Sequence, residues 1–203
     1  ARRNAARAQA LAAQQRMQLL IGQLEESAVT DVVNVGIGGS DLGPRLAVEA
    51  LQDFASGRFR IHFLNNADAS SAQHLLARLD PARTAAVLVS KSFGTQETLL
   101  NGAILKDWLG GDERLFAVTA NVDKAVGFGV SADRILPMWD WVGGRYSVWS
   151  AVGLTLALAI GWPKFTEFLA GGAAIDEHFR RAPLARNLPV LLVWEMLRLG
   201  YAL

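Results

Sequence analysis

Cysteine is absent from all 203 residues, which excludes disulfides and thiolate metal sites and makes a reducing, cytoplasmic setting the expectation. Surplus charge is absent too: 20 Lys and Arg face 19 Asp and Glu, a formal net charge of +1. No basic tract exceeds a pair such as Arg2-Arg3. Displacing counterions from a phosphate backbone needs clustered cations, so no nucleic-acid partner is expected. A long apolar run is also missing. The longest stretch, Val148 to Trp162, is interrupted by Ser150 and Thr155 and closed by Gly161 and Pro163; that is short for a membrane span and suits a buried helix. Ala1 to Arg16 is polar and charged rather than an apolar leader core, and no membrane association is expected.

What is present is apolar bulk, 51% of the chain, enough for one substantial α/β domain with helical extensions. Ala5 to Glu26 is rich in good helix formers and reads as a helical packing arm. Asp31 to Val35 is a short β-branched run, the pattern of a strand buried on both faces of a parallel sheet. Further strands are expected at Arg60 to Leu64, Ala85 to Val89, Arg114 to Thr119 and Arg134 to Leu136, with helices between them. Such alternation implies right-handed crossovers. The expected fold is α/β, a three-layer αβα sandwich with an open, mostly parallel five-stranded sheet, plus flanking helices. From Ser147 onward the chain reads as helical, punctuated by Pro163, Pro183 and Pro189. The expected organisation is an N-terminal helical arm (1–26), an αβα domain (27–160) and a helical extension (161–203).

Ligands of open parallel sheets sit at the carboxyl ends of the strands, and three unusual loops are expected to meet there. The first, Gly36-Ile37-Gly38-Gly39-Ser40-Asp41, follows the first strand. It is not a dinucleotide fingerprint, since Asp41 stands where the third glycine is needed and Asn65-Asn66 where an acidic residue is needed. It is not a nucleophile elbow either, because Asp41 and Leu42 follow Ser40. What remains is a glycine turn that a ligand could approach closely, with Ser40 as a donor, or simply a tight strand-to-helix turn.

The second loop, Ser90-Lys91-Ser92-Phe93-Gly94-Thr95, packs three hydroxyls into six residues before a helix. Helix-start N–H groups and short hydroxyl side chains together make a phosphate site. An N-cap role would account for Thr95 but would leave Ser90 and Ser92 idle. The third loop, Val142-Gly143-Gly144-Arg145-Tyr146-Ser147, sets Arg145 behind two glycines with Ser147 as the expected helix cap. Spacing alone leaves Arg145 open between stabilising a developing oxyanion and pairing with a carboxylate such as Asp140.

Taken together, the blocks VGIGGSDLGP (Val35 to Pro44), SKSFGTQET (Ser90 to Thr98) and DWVGGRYSVWSAVGL (Asp140 to Leu154) resemble the phosphoglucose isomerase family, in the family's order. The resemblance implies interconversion of glucose 6-phosphate and fructose 6-phosphate through an enediolate, with neither metal nor organic cofactor. It implies that Ser90, Ser92 and Thr95 hold the phosphate, Lys91 adding backbone and charge, with Phe93 and Gly94 of the same loop also among the substrate-binding residues. Gly39, Ser40 and, in the third loop, Gly144 would contact the sugar phosphate. It makes Arg145 the catalytic residue that stabilises the enediolate, and it implies a cytoplasmic homodimer in the full-length protein.

The resemblance has a gap. The family's proton-shuttling Glu, its ring-opening His and a Lys belong to motifs beyond Arg145 that this sequence does not show. Glu167, Asp176, Glu177 and Glu195 lie in helical contexts unlike the base motif, and His62, His74 and His178 read as ordinary structural or surface histidines. The expectation is therefore a partial chain that binds sugar phosphate and scarcely turns it over, since general base catalysis alone is worth roughly 10² to 10⁴ in rate. The alternative is a non-catalytic sugar-phosphate sensor of the same fold.

Overall fold

A computed structural model describes residues 2–66 and 69–200. The chain divides into two compact units, Ala1–Trp162 and Pro163–Leu203. The first is built on five parallel strands, β1 (Asp31–Val35), β2 (Arg60–Leu64), β3 (Thr84–Val89), β4 (Leu115–Thr119) and β5 (Ile135–Pro137), in the order β2-β1-β3-β4-β5. Every residue of β1, β3 and β4 is buried. That explains their continuous apolar runs: a parallel strand covered on both faces has no solvent side to mark with polar residues.

Helices cover both faces. The alternate residues Val33, Val35, Ala86, Leu88, Leu115 and Ala117 form one core layer, packed against α3 (Ala69–Leu76), α4 (Gln96–Leu109) and α5 (Val122–Phe128). The other layer lies under α1 (Arg2–Glu26), α2 (Leu42–Ala50) and α6 (Leu154–Ile160): α1 and α2 each meet α6, α1 meets the edge strand β5 and α6 the edge strand β2. α1 buries Ala13, Met17, Leu20, Ile21 and Leu24, a stripe at helical spacing. All seven residues of α6 are buried, so it is an interior helix as its composition implies. The helix expected from Ser147 onward becomes α-helical only at Leu154; before it run two successive 3-10 turns, Gly144–Trp149 and Ala151–Gly153. Among the described residues, no helix is long and apolar enough to cross a membrane.

At the amino-terminal edge of the sheet, Asp31 is 2% exposed and takes hydrogen bonds from Arg60 at 2.6 and 2.8 Å and from Thr30 at 2.9 Å, with His62 Nε2 at 2.8 Å. The Arg60 guanidinium outweighs burial and, helped by His62 and Thr30, holds the Asp31 carboxyl well below the ordinary carboxylate range.

The second unit contains most of α7 (Trp162–Arg181) and all of α8 (Leu188–Arg198). Asn187, 2% exposed, caps both. Its amide donates to the Phe179 and Ala182 carbonyls at the end of α7, and its oxygen accepts from Val190 N–H at the start of α8.

Candidate active site

The strand order reverses direction beside β1. The chain goes from β1 to β2 on one side, then returns to place β3 on the other. The loops after β1 and β3 therefore flank a topological switch point, where an open sheet forms a crevice. The loop after β1 is shaped by its glycines. A Cβ on Gly36 would stand 2.7 Å from the Ser40 Cβ, so only glycine permits that turn. Asn34, fully buried in β1, donates from its amide to the Ser40 carbonyl at 3.1 Å and accepts from the Thr155 hydroxyl at 3.4 Å. A buried polar strand residue thus ties this loop to α6.

The loop after β3 is anchored from beneath. Phe93 is the one described non-glycine residue with positive φ, at 45°. It is 2% exposed, and its ring meets Phe128 edge-on at 5.9 Å. Core packing holds this costly conformation and turns the flanking side chains outward. Ser90 Oγ lies 3.2 Å from Thr95 Oγ1. Thr95 occupies the N-cap position of α4, yet its side chain caps no helix N–H. Its hydroxyl faces Ser90 instead, which separates it from an ordinary cap. One turn into α4, Thr98 is 1% exposed and its hydroxyl has no hydrogen-bond partner.

The third loop closes the crevice. Lys91 reaches across to donate from Nζ to the Asp140 carbonyl at 2.7 Å. Trp139 and Trp141 stack in parallel at 4.9 Å just before the glycines. Gly144, at φ 58°, begins a 3-10 turn running to Trp149. Ser147 is not the cap that its spacing suggests. Its hydroxyl donates back to the Gly144 carbonyl, and Ser150 caps the next turn by accepting from Val152 N–H. In a 3-10 turn the residue three positions on lies over the first carbonyl, which makes that back-bond the nearer choice.

The three loops enclose a cleft of about 530 Å³. Of the residues singled out in the sequence, Gly39, Ser40, Ser90, Lys91, Ser92, Thr95 and Gly144 line it. Phe93 and Gly94 do not; Phe93 points into the core and shapes the loop from there. The backbone of Arg145 lies in the third loop, and its side chain falls outside what the structure describes. Thr98, Asn121 and Ser147 also line the cleft without having been singled out for it. Thr98 was legible in principle, standing three residues after Thr95 and so on the same face of α4. Among the described residues, no group of acidic or histidine side chains is placed to hold a metal.

The family model for phosphoglucose isomerase matches residues 7–200. The chain belongs to the phosphoglucose isomerase family. It is 60% identical over 193 residues to the glucose-6-phosphate isomerase of Stenotrophomonas maltophilia strain R551-3, and 57% identical to that of Xanthomonas euvesicatoria pv. vesicatoria. Each match covers 93% of this chain and 38% of the relative. Among solved structures, the glucose-6-phosphate isomerase of Chlamydia trachomatis superposes with a TM-score of 0.83 at 31% identity, again over 93% of this chain and 38% of that one. A hypothetical protein from Thermus thermophilus superposes at 0.71 with 28% identity, over 93% of this chain and 48% of its own. The αβα fold of this family is thus the fold observed, and the chain spans well under half the length of the isomerases it matches.

Proposed function

We propose that this chain supplies the sugar-phosphate-binding half of a glucose-6-phosphate isomerase site, acting in the interconversion of glucose 6-phosphate and fructose 6-phosphate. The observation that carries the reading is the Ser90–Thr95 hydroxyl pair. Thr95 stands at a helix start without capping it, facing Ser90 at 3.2 Å in a cleft beside the free N–H groups of α4. Ser92 lines the same wall, and the Thr98 hydroxyl has a hydrogen bond to give. A phosphate monoester offers acceptor oxygens to the hydroxyls and N–H groups of this wall.

With the phosphate seated there, the sugar runs past Ser40 and Gly39 toward the third loop. Arg145 acts in this reading as the catalytic cation that stabilises the enediolate, a role that electrostatic preorganisation favours. The step still needs a base to move a proton between adjacent carbons, and the family motif that carries it is not in this sequence. Residues 27–160 form the binding domain in this assignment, with 1–26 its packing arm and 161–203 a helical extension. The family likeness supports a cytoplasmic protein that pairs with a second copy of itself in full-length form.

Isothermal titration with fructose 6-phosphate and, separately, NAD tests the reading. Saturable fructose 6-phosphate binding without NAD binding is expected, and the reverse result overturns it. In a coupled assay the 203-residue chain should give little or no turnover; full isomerase activity would refute the partial site.

A further inference from the structure

At the opposite edge of the sheet, where the strands begin, lies a second cavity of about 330 Å³. Leu24 at the end of α1, Val29 ahead of β1 and Phe116 in β4 give it an apolar wall, and Ser27 adds a hydroxyl. Two guanidiniums complete it. Arg114 donates from Nη2 to the Leu109 carbonyl at 2.8 Å, and Arg134 from Nη1 to the Asp112 carbonyl at 2.8 Å. Both are therefore fixed by main chain rather than by acids, and among the described residues neither forms a salt bridge. Asp133, beside Arg134 in sequence, takes its hydrogen bond from the Ser131 hydroxyl and feels the Arg134 charge without forming a salt bridge to it. The Arg114 Nε is buried and has no hydrogen-bond partner.

We propose that this cavity is a second ligand site, for a small organic carboxylate with an apolar body. A guanidinium held in place offers a planar fork that matches a carboxylate, and the Nη groups of Arg114 and Arg134, the two cationic side chains that line the cavity, supply it. The apolar wall suits a hydrocarbon or aromatic body and leaves a bare inorganic anion half solvated. Glu113 also lines the cavity, and its charge disfavours a dianion more than a monocarboxylate, unlike the sugar-phosphate cleft.

Titration of the protein with benzoate, followed by amide NMR shifts, tests the proposal, with inorganic phosphate and fructose 6-phosphate as comparisons. Saturable benzoate binding is expected, undisturbed by fructose 6-phosphate and retained in Ser90→Ala/Thr95→Ala. Arg114→Gln should weaken it about tenfold or more. Because Arg114 also holds the end of α4, Ala28→Leu serves as the second variant: it fills the cavity, keeps both guanidiniums and should abolish binding with melting unchanged. The proposal fails if benzoate does not saturate, if fructose 6-phosphate displaces it, if inorganic phosphate binds as tightly, or if neither variant weakens it.

Discussion

Gly39 and Gly144 meet backbone to backbone: a Cβ built on Gly39 would lie 2.6 Å from the Gly144 Cα and closer still to its carbonyl. The first and third loops therefore touch through two residues without side chains, and Ser40 is set beside the Arg145 turn by that contact.

Gly39→Ala should force these loops apart. The obstructing atoms are backbone and cannot swing aside, so a loss of about 1–3 kcal/mol in urea denaturation is expected, in the range of overpacked sites. Fructose 6-phosphate binding should fall with it. An unchanged midpoint and affinity would show that the loops separate freely.

Ser90→Ala and Thr95→Ala should each weaken fructose 6-phosphate binding about tenfold, the worth of a hydrogen bond to a charged group. Thermal stability should hardly move in Thr95→Ala, because its side chain makes no capping bond. A helix cap would instead cost about 1 kcal/mol on removal, so calorimetry distinguishes the two roles.

Asn34→Ala removes both bonds that join the first loop to α6 and leaves the Ser40 carbonyl and Thr155 hydroxyl unpaired. A cost of about 1–3 kcal/mol is expected, together with weaker sugar-phosphate binding through a loosened Ser40. Thr155→Val should be milder, since its bond is the longer one at 3.4 Å.

Acid should erode the contribution of Asp31. Its folded pKa is lowered by Arg60, His62 and Thr30, so its stabilisation is complete above the unfolded value of about 4 and is lost as pH falls through the folded one. Asp31→Asn should therefore be less stable than the parent near neutrality, and the two denaturation midpoints should converge below about pH 4. Midpoints that diverge on acidification would contradict this.

The sequence by itself determined which segments are strands and which loops meet at one cleft. Its β-branched runs have no solvent face to interrupt them, and three hydroxyls with three glycine turns have few other uses. It also marked the loop from Ser90 to Thr95 as the candidate phosphate loop, because residue types and spacing are local properties. The strand order is not local. Only the tertiary structure put β1 beside β3, set the switch point between their loops and pressed Gly39 onto Gly144. It alone turned Phe93 inward, made Ser147 a back-bonding residue rather than a cap, and gathered Arg114 and Arg134 around one cavity. The physical reason is the same in each case: side-chain periodicity marks which face is buried, while neighbours across a sheet are chosen by packing among segments distant in the chain.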